Sequence, residues 1–205
     1  MANIIFDLGN VLIRFQPQDY MRRFVAPQWH EAFYHTVFAS SQWLALDRGT
    51  LDYAQAHLIF KQNLPGCEAQ ISALFEVHLL ELLTPIWPNI AVLTQLAQAK
   101  THRLFILSNF HRQALAMLKQ KYDFFGLFDG ETISSDCQFL KPEPEIYQQL
   151  LSTFSLDAAH TFFIDDMSEN IAQAQRFGIH GIHLPEPDLL REKLTACGLL
   201  LNVEF

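Results

Sequence analysis

Short apolar runs punctuate the chain, and several end on a polar residue. Asn3-Ile4-Ile5-Phe6 leads into Asp7 and then the loop signal Leu8-Gly9-Asn10. Arg103-Leu104-Phe105-Ile106-Leu107 ends at Ser108-Asn109, and Thr161-Phe162-Phe163-Ile164 ends at Asp165-Asp166. A weaker run, Gly181-Ile182-His183-Leu184, stops at Pro185, and Gly130-Glu131-Thr132-Ile133 fits one more short strand. Near-continuous apolar runs of this length predict strands buried on both faces. Between them the period lengthens to that of a helix. Ile90, Leu93, Leu96 and Ala97 share one face behind Pro88, which suits a helix start. Residues 111–121, 143–153 and 168–176 follow the same pattern, the last stopping before Gly178. The alternation predicts an α/β fold, a Rossmann-like parallel sheet with helices on both faces.

Residues 17–86 break the alternation, with helical periodicity and no clear strand. Thr50 is placed to cap a helix over 51–62, with Asp52 in its first turn. Pro65-Gly66 interrupts the chain, and 68–83 reads as another helix before Pro85 and Pro88. The expected organisation is a core of 1–16 and 87–205 with a helical cap of 17–86 inserted after the first strand.

Composition narrows the function. The 205 residues are 50% hydrophobic and include 18 Phe, so a packed core is expected rather than disorder. With 14 basic and 22 acidic residues the formal charge is −8, and no Lys/Arg stripe stands out, which argues against nucleic-acid binding. No run reaches the roughly 18 apolar residues of a membrane span, and the N-terminus does not read as a secretory signal. Cys67, Cys137 and Cys197 are odd in number and widely spaced, which predicts free thiols in a reducing compartment. A cytoplasmic location is the default expectation. Monomer and homodimer both stay open.

In open parallel sheets ligands sit beyond the carboxyl ends of the strands, which draws attention to the terminal polar residues. Asp7 fits an ordinary turn aspartate or a carboxylate nucleophile. Asp165 and Asp166 fit the start of a helix. Equally, two adjacent acids repel, and a hard cation such as Mg²⁺ relieves the conflict. Ser108-Asn109 reads as a helix cap or an anion seat. Lys141 reads as a surface lysine or a point charge for a phosphoryl oxygen. Together they supply a nucleophile, a metal pair, a hydroxyl and a cation, the parts phosphoryl transfer needs.

These segments resemble the haloacid dehalogenase-like hydrolase superfamily. The matching motifs are Ile4-Ile5-Phe6-Asp7-Leu8-Gly9-Asn10-Val11-Leu12, Leu107-Ser108-Asn109, Lys141-Pro142-Glu143-Pro144-Glu145-Ile146-Tyr147 and Phe163-Ile164-Asp165-Asp166-Met167-Ser168-Glu169-Asn170-Ile171. They occur in order across nearly the whole chain. The opening motif is most similar to the branch containing α-glucose-1-phosphate phosphatase, and the block 17–86 matches the helical cap of that family. The resemblance implies Asp7 as nucleophile and metal ligand, Ser108 and Asn109 as phosphate binders, and Lys141 as the stabilising cation. It implies Mg²⁺ held by Asp7, the Gly9 carbonyl, Asp165 and Asp166, with Asp166 the direct ligand. A small phosphorylated metabolite, such as glucose 1-phosphate, is the implied substrate.

Position 9 departs from the pattern. Most phosphatases of the family carry there a second Asp that acts as general acid and base, a contribution of about 10²–10⁴-fold. A substrate with a good leaving group, water, or a cap residue such as His30, His35 or His57 is then required. Two other readings compete. A metal-free 2-haloacid dehalogenase shares the nucleophile and lacks the second acid, but has no need of the Asp165-Asp166 pair. A non-catalytic phosphate-binding protein would be consistent with Gly9 alone. Specificity is expected in the cap and in the flap that carries Arg14 and Phe15. Trp29, Phe33, Trp43 and Tyr53 are aromatic candidates for lining a pocket or for packing the cap.

Overall fold

A computed structural model describes residues 1–200. Five parallel strands form the central sheet: β1 (Ala2–Phe6), β4 (His102–Ser108), β5 (Gly130–Ile133), β6 (Thr161–Asp165) and β7 (His180–His183), in the order β5-β4-β1-β6-β7. β1 lies at the centre, and the chain fills one side before crossing to the other. The crevice between the carboxyl ends of β4, β1 and β6 is therefore the topological switch point.

Alternation along the strands divides the core between the two faces. Ile4, Phe6, Leu104 and Ile106 enter one apolar cluster, while Ile5, Phe105, Leu107 and Phe163 enter the other. The helices Trp87–Ala99, Arg112–Lys121 and Leu190–Ala196 cover the first face, and Pro144–Thr153 and Ser168–Arg176 the second. The predicted α/β sheet, with helices on both faces, is the observed one.

The segment between β1 and the helix Trp87–Ala99 is mostly helical and has its own apolar cluster, centred on Phe33, Phe60, Ile71 and Leu74. Its entry and exit are not helical. β2 (Ile13–Phe15) pairs antiparallel with β3 (Leu83–Pro85), Phe15 opposite Leu83. The helix expected over 68–83 therefore ends at Leu82, and the chain straightens as it reaches its partner strand. Within that stretch, Leu74–His78 winds into a wide π-helical turn. A correction also applies at residue 50. Asp52, not Thr50, caps the helix Tyr53–Asn63, accepting from Gln55 N–H at 2.8 Å while the Gln55 side chain answers back. Thr50 instead donates to Ala45 O.

Candidate active site

Register places the strand-end residues together. Phe6 is level with Ile106 and Ile164, so Asp7 emerges beside Asp165, and its N–H donates to Ile164 O at 2.9 Å. Three donors converge on Asp7 Oδ1: the Leu8 N–H at 2.7 Å, the Ser108 hydroxyl at 2.6 Å and the Lys141 ammonium at 2.9 Å. Its Oδ2 stands outside that set. The two carboxylate oxygens thus have separate environments, one pinned and one available.

Lys141 Nζ also donates to Asp165 Oδ2 at 2.6 Å. Asp165 is fully buried, and its Oδ1 accepts from the Met167 N–H at 2.8 Å and from Asn170 Nδ2 at 3.0 Å. Asp166, one residue on, lines a cavity rather than contacting the lysine. It is half-buried and accepts from Asn10 Nδ2 at 3.2 Å. Asp165 therefore holds the lysine, while Asp166 faces open space. Asn10 is poised for this by a left-handed backbone (φ 51°) and a second bond from Phe15 N–H to its Oδ1.

One oxygen from each of Asp7, Asp165 and Asp166 lies within 4.8 Å of the others. Burial raises the Asp7 carboxyl to about 6; Lys141 opposes that rise and Asp165 adds to it. Asp166 is also raised by burial, moderated by its bond from Asn10. Burial alone would lower the Lys141 ammonium, but Asp165 and Asp7 outweigh it and hold it raised. Three oxygen donors with unrelieved negative charge suit a hard divalent cation, so the residues present fit Mg²⁺.

The side chains of Ser108 and Asn109 do other work than helix capping. The following helix begins at Arg112, past both residues. Ser108 is buried with its hydroxyl on Asp7, and Asn109 clamps the backbone of Lys141, donating to its carbonyl at 3.0 Å and accepting from its N–H at 2.8 Å. The loop with Lys141 also opens no helix at once, since the helix starts at Pro144.

A cavity of about 130 Å³ lies over this cluster, with Gly9, Asn10, Asn109 and Asp166 on its strand-end side. Phe15, Trp43, Leu79, Leu83 and Phe110 supply most of its remaining wall. A Cβ at Gly9 would meet nothing nearer than Asp7 Oδ2 at 3.9 Å, so crowding does not exclude a side chain there. Of the aromatic candidates, Trp43 lines the cavity and Tyr53 bonds to its edge, while Phe33 is buried in the insertion and Trp29 packs near Gly66. Arg14 is exposed and lines a separate cleft. His30, His35 and His57 are absent from the cavity wall.

Two polar residues that sequence reasoning missed do line it: Asp47 and His111. Asp47 Oδ1 lies 3.2 Å from His111 Nε2, and Tyr53 Oη lies 3.3 Å from His111 Nδ1. Burial pushes Asp47 up to about 8, with Asp7 adding to the rise and Lys141 opposing it, and burial pulls His111 down to about 3. A signal for Asp47 does exist. It sits in the last turn of the helix Ser41–Arg48, where the dipole disfavours an acid.

A family model described as haloacid dehalogenase-like hydrolase matches residues 1–178. The chain belongs to the haloacid dehalogenase-like hydrolases. Among curated relatives, this hydrolase is 28% identical over 186 residues to the sesquiterpene phosphatase astK of Aspergillus oryzae, covering 89% of each chain. The fold is shared with a HAD family enzyme of Bacteroides thetaiotaomicron solved in complex with magnesium and inorganic phosphate (TM-score 0.72, 22% identity, 89% of this chain and 93% of that one). It is shared also with a predicted HAD-like hydrolase of Porphyromonas gingivalis (TM-score 0.74, 22% identity, 100% and 99%). No helix among the described residues is long and apolar enough to cross a membrane.

Proposed function

We propose that this hydrolase is a Mg²⁺-dependent phosphatase that cleaves small phosphate monoesters of apolar alcohols through an aspartyl-phosphate on Asp7. The observation that carries the reading is the pinned Asp7 carboxylate, with Lys141 between it and Asp165 and a half-open Asp166 alongside. Lys141 and the Ser108 hydroxyl fix the nucleophile's orientation, so that Oδ2 is the oxygen free to meet phosphorus or a metal. Asp7, Asp166 and the Gly9 carbonyl would hold Mg²⁺, with Asp165 nearby. The bound cation would neutralise charge on the transferring phosphoryl group. Asn109 acts on the phosphate by fixing the loop that presents Lys141.

The cavity wall bears on the leaving group. Rings and aliphatic chains from Phe15, Trp43, Leu79, Leu83 and Phe110 reward apolar surface and offer little hydrogen bonding to a sugar. An apolar alcohol therefore fits better than the glucose 1-phosphate suggested by the opening motif. The sesquiterpene phosphatase relative agrees with that choice. A haloacid carboxylate would enter beside Asp166, a repulsive neighbour without a metal.

Phosphate release should be measured with p-nitrophenyl phosphate, n-hexyl phosphate and glucose 1-phosphate, each with Mg²⁺ and with EDTA. The expected result is Mg²⁺-dependent turnover, abolished in Asp7→Asn, with hexyl phosphate preferred over glucose 1-phosphate. Turnover that survives both EDTA and Asp7→Asn defeats the mechanism. A preference for the sugar defeats only the substrate class.

A further inference from the structure

The phosphatase reading leaves one chemical gap. A poor leaving group needs a proton as the P–O bond breaks, and Gly9 cannot give one. Among the described residues two carboxyl groups line the cavity, and of these Asp166 belongs to the acid cluster on the strand-end side. The other is Asp47, from the insertion.

We propose that Asp47 is the general acid of this hydrolase, donating a proton to the leaving-group oxygen across the cavity in place of the acid missing at position 9. The inference rests on the phosphatase reading. Its geometric support is the way Asp47 is held. The residue sits near the end of the helix Ser41–Arg48, and that end is fastened to the core at several points. Ser134 Oγ donates to Asp47 O at 2.5 Å. Arg48 forks onto Glu143 through two bonds of 2.9 and 2.5 Å and also donates to Gln138 O. Gly49 then passes so close to the core that a Cβ there would lie 2.2 Å from Ser135 O. Its left-handed backbone (φ 76°) adds a second reason for glycine. Glu143 follows Lys141 by two residues, so one loop fixes both the stabilising cation and the helix end that bears Asp47.

The environment suits proton donation. Asp47's side chain is 16% exposed, open to the cavity but mostly dry. His111 stands 3.2 Å away without the alignment of a full hydrogen bond, and Trp43 packs on its ring at 4.4 Å. The same burial that keeps the carboxyl protonated near neutrality keeps His111 uncharged, so the imidazole does not strip the proton. Asp7 and Lys141 are the charged groups acting on Asp47, with opposite signs.

The step balances. The Asp7 oxygen forms a bond to phosphorus as the bond from phosphorus to the leaving oxygen breaks, and the Asp47 proton moves to that oxygen. The Asp47 carboxylate then takes a proton from the water that attacks the aspartyl-phosphate. Inorganic phosphate leaves, Asp7 is regenerated and Asp47 is protonated again.

The test compares two esters with Mg²⁺ present. n-Hexyl phosphate expels an alkoxide that needs a proton, whereas p-nitrophenyl phosphate expels a stable anion. Because water attack on the aspartyl-phosphate is common to both esters, the comparison uses kcat/KM, which reports the phosphorylation of Asp7. Asp47→Asn is expected to lower it for hexyl phosphate by about 10²–10⁴-fold and for p-nitrophenyl phosphate by less than about tenfold. Adding Gly9→Asp in the Asp47→Asn background supplies an acid at the roomy position 9 and is expected to restore part of the hexyl phosphate rate. Asp47→Glu keeps the acid and guards against misfolding of the amide variant. It should retain more hexyl phosphate turnover than Asp47→Asn. Equal losses of kcat/KM on both esters, or no loss, overturn the proposal while leaving the phosphatase intact. A wild type that hydrolyses neither ester overturns the phosphatase reading and this inference with it.

Discussion

Across one small cavity the strand ends and the inserted helices contribute in opposite styles. At the strand ends Asp7, Lys141, Asp165 and Asn170 form a closed set in which nearly every bond is between charged or polar partners. The insertion offers rings, aliphatic chains and one carboxyl, Asp47, with a single close polar neighbour. On the proposed function, the dense side serves an unvarying task, holding a nucleophile against a phosphoryl group. On the same proposal, the sparse side leaves its selectivity to shape and apolar area, and its chemistry to one proton. If so, damage to the dense side should affect every substrate and the fold itself. Damage to the sparse side should depend on which ester is offered.

The largest effect is expected from Lys141→Ala. It leaves Asp7 and Asp165 facing each other, both nearly out of water. Removing one partner of a buried charge set typically costs about 3–5 kcal/mol, so Tm should fall by roughly 6–20 °C for a chain of this size. Activity should fall on all esters alike, by on the order of 10³-fold or more, as the nucleophile loses its orienting cation. Mg²⁺ should raise the Tm of the variant more than that of the wild type, because the cation takes over the lost neutralisation. Thermal melts with and without Mg²⁺ check this. A variant as stable as wild type and unresponsive to the metal would mean that Lys141 does not offset the charge of Asp7 and Asp165.

The difference between the two sides also explains what the sequence discloses. The sheet is legible because buried parallel strands need runs such as Ile4-Ile5-Phe6 and Phe162-Phe163-Ile164, and because a polar residue ending such a run marks the sheet edge. Asp7, Lys141, Asp165 and Asp166 lie in short local motifs that period and spacing can find. Asp47 and His111 are 64 positions apart in sequence and meet only because the helix end is latched onto the core. His111 alone reads as a solvent-facing side chain, and Asp47 stands out only as an acid in the last turn of a helix. The β2–β3 ribbon is hidden for a related reason. Three residues at each end of a helical block carry too little period to distinguish, and Leu83–Pro85 straightens only because Ile13–Phe15 is there to pair with it. The candidate histidines His30, His35 and His57 misdirect because a place on a helical segment does not say which of them meets the cavity. The left-handed Asn10, which ties Asp166 to Phe15, is equally invisible in the sequence.

A smaller and more selective effect is expected from Trp43→Ala. Trp43 is nearly buried, lines the cavity and packs on Phe15, Phe38 and His111. Losing the indole should lower kcat/KM for hexyl phosphate by on the order of 100-fold, since apolar pocket contacts are typically worth a few kcal/mol. Product inhibition by inorganic phosphate, which engages only the strand-end side, should stay within about twofold. Trp43→Phe serves as the milder variant with a smaller shift in the same direction. Equal weakening of hexyl phosphate and inorganic phosphate would erase the distinction between the two sides.

The smallest effect separates the sides by pH, read in metal-free buffer from folding alone. Asp47 binds its proton up to about pH 8 in the fold but only to about 3.8 when unfolded. Between those values the folded protein holds a proton that the unfolded chain has lost, so this carboxyl makes stability fall as pH rises, with no further loss above 8. His111 acts with the opposite sign. Lowered from 6.5 to about 3, it refuses a proton the unfolded chain accepts, so its contribution rises with pH across that window. Asp7, raised to about 6, adds a fall that is complete near that pH. From 6.5 to 8 Asp47 is therefore the group among these three that still changes, and the slope is at most about 1.4 kcal/mol per pH unit. Asp47→Asn stays neutral throughout and loses this slope. Its Tm should rise relative to wild type between pH 6.5 and 8 by a few degrees, on the order of 1–2 kcal/mol. Tyr53, itself raised by burial and by the Asp47 charge, ionises above this range and leaves it undisturbed. Parallel Tm curves for the two proteins would mean that Asp47 is already ionised at neutral pH, and the insertion would then present a carboxylate to the phosphate instead of a proton.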